Sequence, residues 1–192
     1  MDPGRAAQAA RRLLAEGCSA LLSFGMAGGL DPALAPGTLV LATAVLAPDG
    51  EAYPSDEGWR AALGARITAL AATLLGCDAP VSDPAEKARL FAATGAAAVD
   101  MESHAIATVA ASSGVPFLAL RAVADPAHRA VPPAALLGVG ADGGSRPGAV
   151  LAALVFAPWE IPSVVALAGE GRLALSALRG VALVGDPLFA LR

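Results

Sequence analysis

The sequence contains few of the residues that form disulfides or bind metals. Its 192 residues include two cysteines, Cys18 and Cys77, and two histidines, His104 and His128. Neither histidine has a histidine or cysteine partner at ligand spacing, so we expect no metal site and interpret both as surface or core groups. The cysteines lie far apart in apolar segments, which predicts reduced, buried thiols and fits a cytoplasmic protein.

Charged residues are also scarce. They make up 16% of the chain, the formal net charge is -4, and no basic stripe is present, so we expect no nucleic-acid partner. No cationic start is followed by an apolar run, so no signal peptide is predicted. The nearest approach to a membrane span, residues 149–168, is interrupted by Pro158, Glu160 and Pro162, so no spanning helix is predicted either.

The chain has instead an alternation of apolar runs and helical patterns. This order predicts a single α/β domain over residues 1–192, with a central, mostly parallel or mixed sheet flanked by helices. The predicted strands are residues 20–24, 39–46, 79–82, 95–99 and 117–124. The predicted helices are residues 6–17, 59–75, 83–94, 103–112, 148–156 and 162–178.

Acidic residues stand at the ends of two predicted strands, where open α/β sheets bind their ligands. Glu102 follows one strand and offers two acceptor oxygens that suit a sugar diol. Asp125 ends the next strand, where apolar surroundings would raise its pKa and let it donate a proton. Simpler interpretations are a helix cap for Asp100 and Glu102 and an Asx-type turn for Asp125; for Asp100 we favour the cap.

A glycine-rich segment, Gly-Met-Ala-Gly-Gly at residues 25–29, follows the first predicted strand. Glycines at this place either let a ligand approach the backbone or form a tight turn between strands. The segment is neither a Walker A loop nor a dinucleotide-binding fingerprint, because it lacks the Gly-Lys-Ser/Thr and the GxGxxG pattern.

Three segments in this order resemble the nucleoside phosphorylase and nucleosidase superfamily. They are residues 23–30 with the following 36–40, residues 99–103, and residues 121–125 (Arg-Ala-Val-Ala-Asp). Within the superfamily, residues 23–25, 100–104 and 140–147 resemble the hopanoid-associated phosphorylase branch. The resemblance implies cleavage of the N-glycosidic bond of a purine nucleoside, by phosphorolysis or hydrolysis. The implied substrate is a 5′-substituted adenosine such as adenosylhopane.

The resemblance also implies roles for individual residues. Glu102 would bind the ribose hydroxyls, and Met101 would pack against the sugar. Asp125 would protonate or hydrogen-bond the purine at N7, and Ala27 and Gly28 would line the base or sugar pocket. No cofactor is implied, with inorganic phosphate as an optional co-substrate. A homo-oligomer is expected.

Three departures from the family pattern leave the nucleophile, phosphate or water, open. We expect the fold to lack the family's N-terminal strand, which would expose apolar surface. Met26 stands where phosphorylases have a hydroxyl residue, and Ser23 where they often have arginine. Ala124 replaces the serine that precedes Asp125.

Two alternatives to an adenosyl-lipid enzyme follow from the same residues. One is a nucleosidase of the methylthioadenosine/adenosylhomocysteine type, and the other is a truncated, non-catalytic relative that binds nucleosides. The apolar segment at residues 149–168, with Trp159, either contacts a membrane surface or packs on the sheet or at a subunit interface.

Overall fold

A ring of paired β-strands forms the centre of the molecule. The computed structural model describes residues 2–138 and 146–184. The strands are β1 (Leu21–Gly29), β2 (Leu39–Leu46), β3 (Ala52–Pro54), β4 (Leu70–Gly76), β5 (Ala98–Asp100) and β6 (Phe117–Asp125).

The strand order is β3-β2-β4-β5-β1-β6, and a further pairing of β2 with β6 closes the ring. β1 runs parallel to β6, and β4 runs parallel to both β2 and β5. The pairs β1–β5, β2–β3 and β2–β6 are antiparallel. The mixed sheet that the sequence predicts is therefore confirmed.

Helices flank this sheet, as expected, and several have clear sequence determinants for their ends. The Asp2 side chain caps the first helix, which has proline at its first position, and Asp83 caps another in the same way. Glycines in the left-handed conformation, Gly95 and Gly114, end two helices. The helices are α1 (Pro3–Ala15), α2 (Glu57–Gly64), α3 (Pro84–Thr94), α4 (Ser103–Ser113), α5 (Pro133–Leu136), α6 (Pro147–Phe156) and α7 (Ile161–Val184), with a short 3-10 helix at Pro158–Glu160.

The long helix predicted over residues 59–75 is wrong. α2 ends at Gly64, and β4 begins at Leu70 and pairs on both edges, with β2 and with β5. Leu63 and Leu74 are both buried, but in different parts of the core, so their helical spacing does not reflect one face. Tertiary pairing of the strand overrides the local pattern here.

Two further local predictions are wrong. Residues 25–29 are not a loop or a turn, because β1 continues through them to Gly29 while pairing with β6. Residues 79–82 form no strand and instead lie in an irregular segment between β4 and α3. Both segments line a cavity. Local sequence rules often fail at such sites, because the backbone conformation there is not set by the local pattern.

Further observations concern the thiols and the apolar C-terminal part. Both cysteines are free, but Cys18 is exposed and Cys77 only half-buried, so the prediction of two buried thiols is wrong. Among the described residues, one helical stretch, Pro158–Leu183, is long and apolar enough to cross a membrane by length and composition alone. Of the motif at residues 140–147, positions 140–145 lie outside the described residues.

Candidate active site

A cavity of about 390 Å³ opens where the carboxyl ends of β1, β5 and β6 meet. All five residues assigned to the site from the sequence line it: Ala27, Gly28, Met101, Glu102 and Asp125. Residues from three other segments complete the walls. They are Ala79–Ser82, the segment around α5 (Val131, Ala135 and Leu136), and Leu167 and Gly171 of α7.

Glu102 lies just before α4, in the turn that follows β5, and is largely buried. Its Oε2 is 3.9 Å from Nη2 of Arg121, whereas its Oε1 is buried without a hydrogen-bond partner among the described residues. Burial raises the pKa of the Glu102 carboxyl, Arg121 opposes this, and the nearby Asp100 adds to the increase. The hydrogen-bonding capacity of Oε1 is therefore unused among the described residues.

The prediction of a structural role for Asp100 is confirmed. Its Oδ1 accepts hydrogen bonds from the backbone amides of Glu102 (2.8 Å) and Ser103 (2.7 Å), which caps the start of α4. Its Oδ2 lies 2.7 Å from Nε of Arg121 and accepts a hydrogen bond from the Ser103 hydroxyl. Asp100 thus fixes the turn that presents Glu102.

Arg121 and two serines form a buried polar cluster beneath Glu102 that sequence reasoning did not assign. Nη2 of Arg121 donates to the hydroxyls of Ser23 (2.6 Å) and Ser103 (2.9 Å). Arg121 fits because Gly25 faces it in β1, where a Cβ would come within 2.5 Å of Nη1. The signal in the sequence is an arginine inside an apolar strand, since a buried guanidinium requires acceptors around it.

Asp125 ends β6, and its carboxylate is held by a residue of α3. Nζ of Lys87 lies 2.5 Å from Oδ2 of Asp125. Burial raises the pKa of the Asp125 carboxyl, Lys87 opposes the increase, and Glu170 adds to it. Gly28 allows the close approach of β1, since a Cβ there would lie 3.1 Å from Oδ2.

Lys87 is the most important residue that the sequence analysis missed. Its position in a helix capped by Asp83 resembles that of any surface lysine. The sequence feature that could have identified Lys87 is that it is the only lysine in the chain. The other cationic residues, histidine aside, are arginines.

α7 contributes a second charged pair close to Asp125. Glu170 Oε1 accepts hydrogen bonds from Nη2 (2.6 Å) and Nε (3.0 Å) of Arg129, which lies in the segment after β6. The neighbouring residues Leu167 and Gly171 line the cavity, so this pair fixes α7 against the mouth of the site. No local pattern indicates this contact, because the partners lie 41 residues apart.

A second cavity, of about 570 Å³, adjoins the first and shares Met26 and Glu102 with it. Phe24 and Met26 lie on its floor and are 38% and 43% exposed. Leu175, Leu178 and Arg179 of α7 form part of its wall. Beside Glu102, therefore, apolar side chains of β1 are accessible.

Among the described residues, no group of three or more histidine, cysteine, aspartate or glutamate side chains could hold a metal ion. His104 lies under the turn after β4, with its Nε2 3.3 Å from Oδ1 of Asp78. His128 is exposed in the segment that follows β6.

Comparison with known protein families identifies the family of this chain. The family model of the phosphorylase superfamily matches residues 1–155. The chain belongs to the phosphorylase superfamily. No curated protein sequence matches it significantly.

Solved structures share the fold of this phosphorylase superfamily member. Futalosine hydrolase of Helicobacter pylori strain 26695 superimposes with a TM-score of 0.67 and 18% identity, over 95% of this chain and 76% of its own. The 5′-methylthioadenosine/S-adenosylhomocysteine nucleosidase of Colwellia psychrerythraea 34H, solved with adenine, gives a TM-score of 0.62 and 23% identity. The nucleosidase of Neisseria meningitidis, solved with methylthio-immucillin-A, gives 0.62 and 24%.

The matches to these two nucleosidases are partial. The match covers 67% of this chain in both cases, but 63% of the Colwellia protein and 66% of the Neisseria protein. It therefore spans about two thirds of their length. At these identities the likeness is one of fold.

Proposed function

We propose that the protein cleaves the N-glycosidic bond of a purine nucleoside bound in the cavity between β1, β5 and β6. The observation that carries this proposal is that two carboxylates in different surroundings, Glu102 and Asp125, line the same cavity. Glu102 has a free, buried oxygen, whereas Asp125 is held by a cation.

This arrangement suits the chemistry of glycosidic cleavage. As the bond breaks, positive charge develops on the sugar and negative charge on the leaving purine. A carboxylate at the ribose hydroxyls stabilises the first, and an acid at N7 of the base stabilises the second. Glu102 takes the first role and Asp125 the second, while Met101, Ala27 and Gly28 shape the pocket around the sugar and base.

The superfamily and the bound ligands of the structural neighbours support this substrate class. One neighbouring nucleosidase was solved with adenine and another with methylthio-immucillin-A. We propose a 5′-substituted adenosine as the substrate. Either water or inorganic phosphate is the attacking nucleophile, and no other co-substrate is required.

We further propose that the 5′ substituent is a lipid such as the hopane of adenosylhopane. Apolar side chains of α6 and the 3-10 helix extend into solvent, with Phe156 83% and Trp159 74% exposed. Such a surface suits peripheral contact between a cytoplasmic protein and a membrane that holds the substrate. A homo-oligomer that buries the same surface is the competing proposal.

The test is adenine release from adenosine, methylthioadenosine, S-adenosylhomocysteine and an adenosyl-lipid, each with and without phosphate. Adenine release from the adenosyl-lipid and from none of the other substrates supports the lipid-linked substrate. Adenine release from methylthioadenosine and S-adenosylhomocysteine without phosphate supports the soluble nucleosidase. No release from any of them overturns the catalytic proposal.

A second candidate function is nucleoside binding without turnover. It is supported by the departures from the family pattern at Ser23, Met26 and Ala124. Calorimetry decides between the two: binding of an adenosine analogue without any turnover is the result expected of a non-catalytic relative.

The membrane proposal has its own experiment. Co-sedimentation with liposomes should decrease when Phe156 and Trp159 are both changed to Ser. Leu13→Ser, an exposed apolar residue on α1, is the matched control and should leave binding unchanged. Absence of liposome binding by the unchanged protein, with a dimer that the double variant disrupts, would favour the subunit interface instead.

A further inference from the structure

We propose that Lys87 is a positioning residue for Asp125: its ammonium group holds Oδ2 and leaves Oδ1 to meet the purine. This inference rests on the proposed function for the identity of the ligand, but the contact between Lys87 and Asp125 is tested separately below. Lys87 is fully buried, which is unusual for a lysine.

The surroundings of Lys87 fix its ammonium group in one place. Besides Oδ2 of Asp125 at 2.5 Å, its Nζ donates to the backbone carbonyl oxygens of Pro126 and Arg129, each at 3.1 Å. An ammonium group has three N–H donors, and here each has an acceptor. The carboxylate is therefore anchored at the start of the segment that follows β6.

The two carbonyl acceptors matter for catalysis because they do not titrate. When Asp125 is protonated and ready to donate, Lys87 keeps its bonds to Pro126 and Arg129 and stays in position. When the proton moves to the purine, the carboxylate that remains faces a buried cation at hydrogen-bond distance. Lys87 thus stabilises the state that follows proton transfer, as well as the orientation that precedes it.

Charged groups from several elements surround Asp125. Lys87 of α3 opposes the increase in its pKa that burial causes, and Glu170 of α7 adds to that increase while Arg129 binds Glu170. Glu102 and Asp100 line the same cavity, and His128, on the segment after β6, is exposed. Removal of the Lys87 charge therefore raises the pKa of Asp125 further.

The kinetic experiment compares Lys87→Met, Lys87→Arg and the control Arg89→Met. Arg89 lies on the same helix, is exposed, and is bound to Glu86, so its loss removes a cation without touching the site. We expect Lys87→Met to lower kcat about 100-fold, the cost of a reacting group misplaced by about 1 Å, with little change in KM. Lys87→Arg, which keeps the charge, should restore part of the loss.

The pH dependence separates positioning from a purely structural role. Because Asp125 acts as an acid, its deprotonation sets the alkaline limb of the kcat profile, and that limb should move to higher pH in Lys87→Met. It should not move in Arg89→Met. An alkaline limb that stays in place in Lys87→Met, or a kcat within the range of Arg89→Met, would overturn the proposal.

A measurement without turnover uses the fact that Lys87 is the only lysine. Labelling lysine with ¹⁵N at Nζ gives one side-chain signal, which should follow the titration of Asp125 and shift in Asp125→Asn. This comparison does not require that Lys87→Met folds. A signal unaffected by Asp125→Asn overturns the proposal, whereas a shifted signal in a protein that cleaves no nucleoside overturns the proposed function alone.

Discussion

The two carboxylates of the cavity differ in how the protein satisfies them. Asp125 is bound directly by Lys87, at 2.5 Å. The cation near Glu102 is Arg121, whose Nη2 lies 3.9 Å from Oε2 of Glu102. Arg121 makes its close contacts with Asp100, Ser103 and Ser23 instead. Burial raises the pKa of both carboxyls, so the difference lies in hydrogen bonding rather than in the direction of the shift.

This difference corresponds to two kinds of task. A group that transfers a proton must be held in one orientation, and Asp125 is anchored by Lys87 and closely approached by Gly28. A group that binds a ligand must keep an oxygen for it, and Glu102 has a buried Oε1 without a partner among the described residues. A buried acceptor left empty is costly, and a ligand hydroxyl removes that cost.

The largest expected effect is that of Asp125→Asn. An asparagine keeps the shape of the side chain but cannot donate the proton, so turnover should fall about 10²- to 10⁴-fold, the usual contribution of general acid catalysis. Adenine release measures turnover, and calorimetry should show that binding of an adenosine analogue survives. Unchanged turnover would remove Asp125 from its proposed role.

Glu102→Gln should have a smaller effect, and mainly on binding. A hydrogen bond to a charged group contributes about 1.5–3 kcal/mol, so KM should rise accordingly if Glu102 binds the ribose hydroxyls. Substrates that lack the ribose hydroxyls provide the control. They should bind weakly to the unchanged protein, and the substitution should weaken them no further; an equal loss for both substrate types would contradict the assignment.

Gly28→Ala tests the close approach of β1 to Asp125. The new Cβ would lie 3.1 Å from Oδ2 and 3.5 Å from both Oδ1 and Val99 Cγ1, so the carboxylate must shift by a few tenths of an ångström. We expect kcat to fall about tenfold, less than the roughly 100-fold cost of a 1 Å displacement. Gly148→Ala, where a Cβ meets nothing within 4 Å, should leave kcat unchanged.

The sequence was sufficient to predict those parts of the site that depend on local position. Strand ends place polar residues at one edge of a sheet, so Glu102 and Asp125 could be assigned before their contacts were known, and the cap at Asp100 follows from its place before a helix. The mixed sheet follows from the alternation of strands and helices. These are short-range features, and composition and spacing report them.

The rest depends on contacts between distant segments. The partners Lys87 and Asp125 lie 38 residues apart, and Arg129 and Glu170 lie 41 apart, so no local pattern links them. β4 was mistaken for helix because Leu63 and Leu74 share a helical spacing although they pack in different clusters. Contacts between distant segments, which decide these features, leave no signature in a single sequence.

The smallest expected effect is the change in stability of Glu102→Gln, and it separates the two carboxylates again. A carboxyl whose pKa is raised on folding stabilises the protein below its unfolded pKa, and this contribution is lost as pH rises through the folded value. Glutamine does not ionise, so Glu102→Gln avoids the loss of stability that ionisation of the buried Glu102 carboxyl causes. Arg121 keeps its partner Asp100 in this variant. The variant should therefore be more stable than the unchanged protein at pH 7. The difference should shrink as the pH falls.

Asp125→Asn should not show this gain, although the pKa of Asp125 is raised as well. Its substitution leaves the buried Lys87 without a charged partner, and an uncompensated buried cation is strongly destabilising. Urea unfolding of both variants at several pH values measures the contrast. If Asp125→Asn were stabilised at pH 7 as much as Glu102→Gln, the ion pair would contribute nothing, and the two carboxylates would differ only in their position in the cavity.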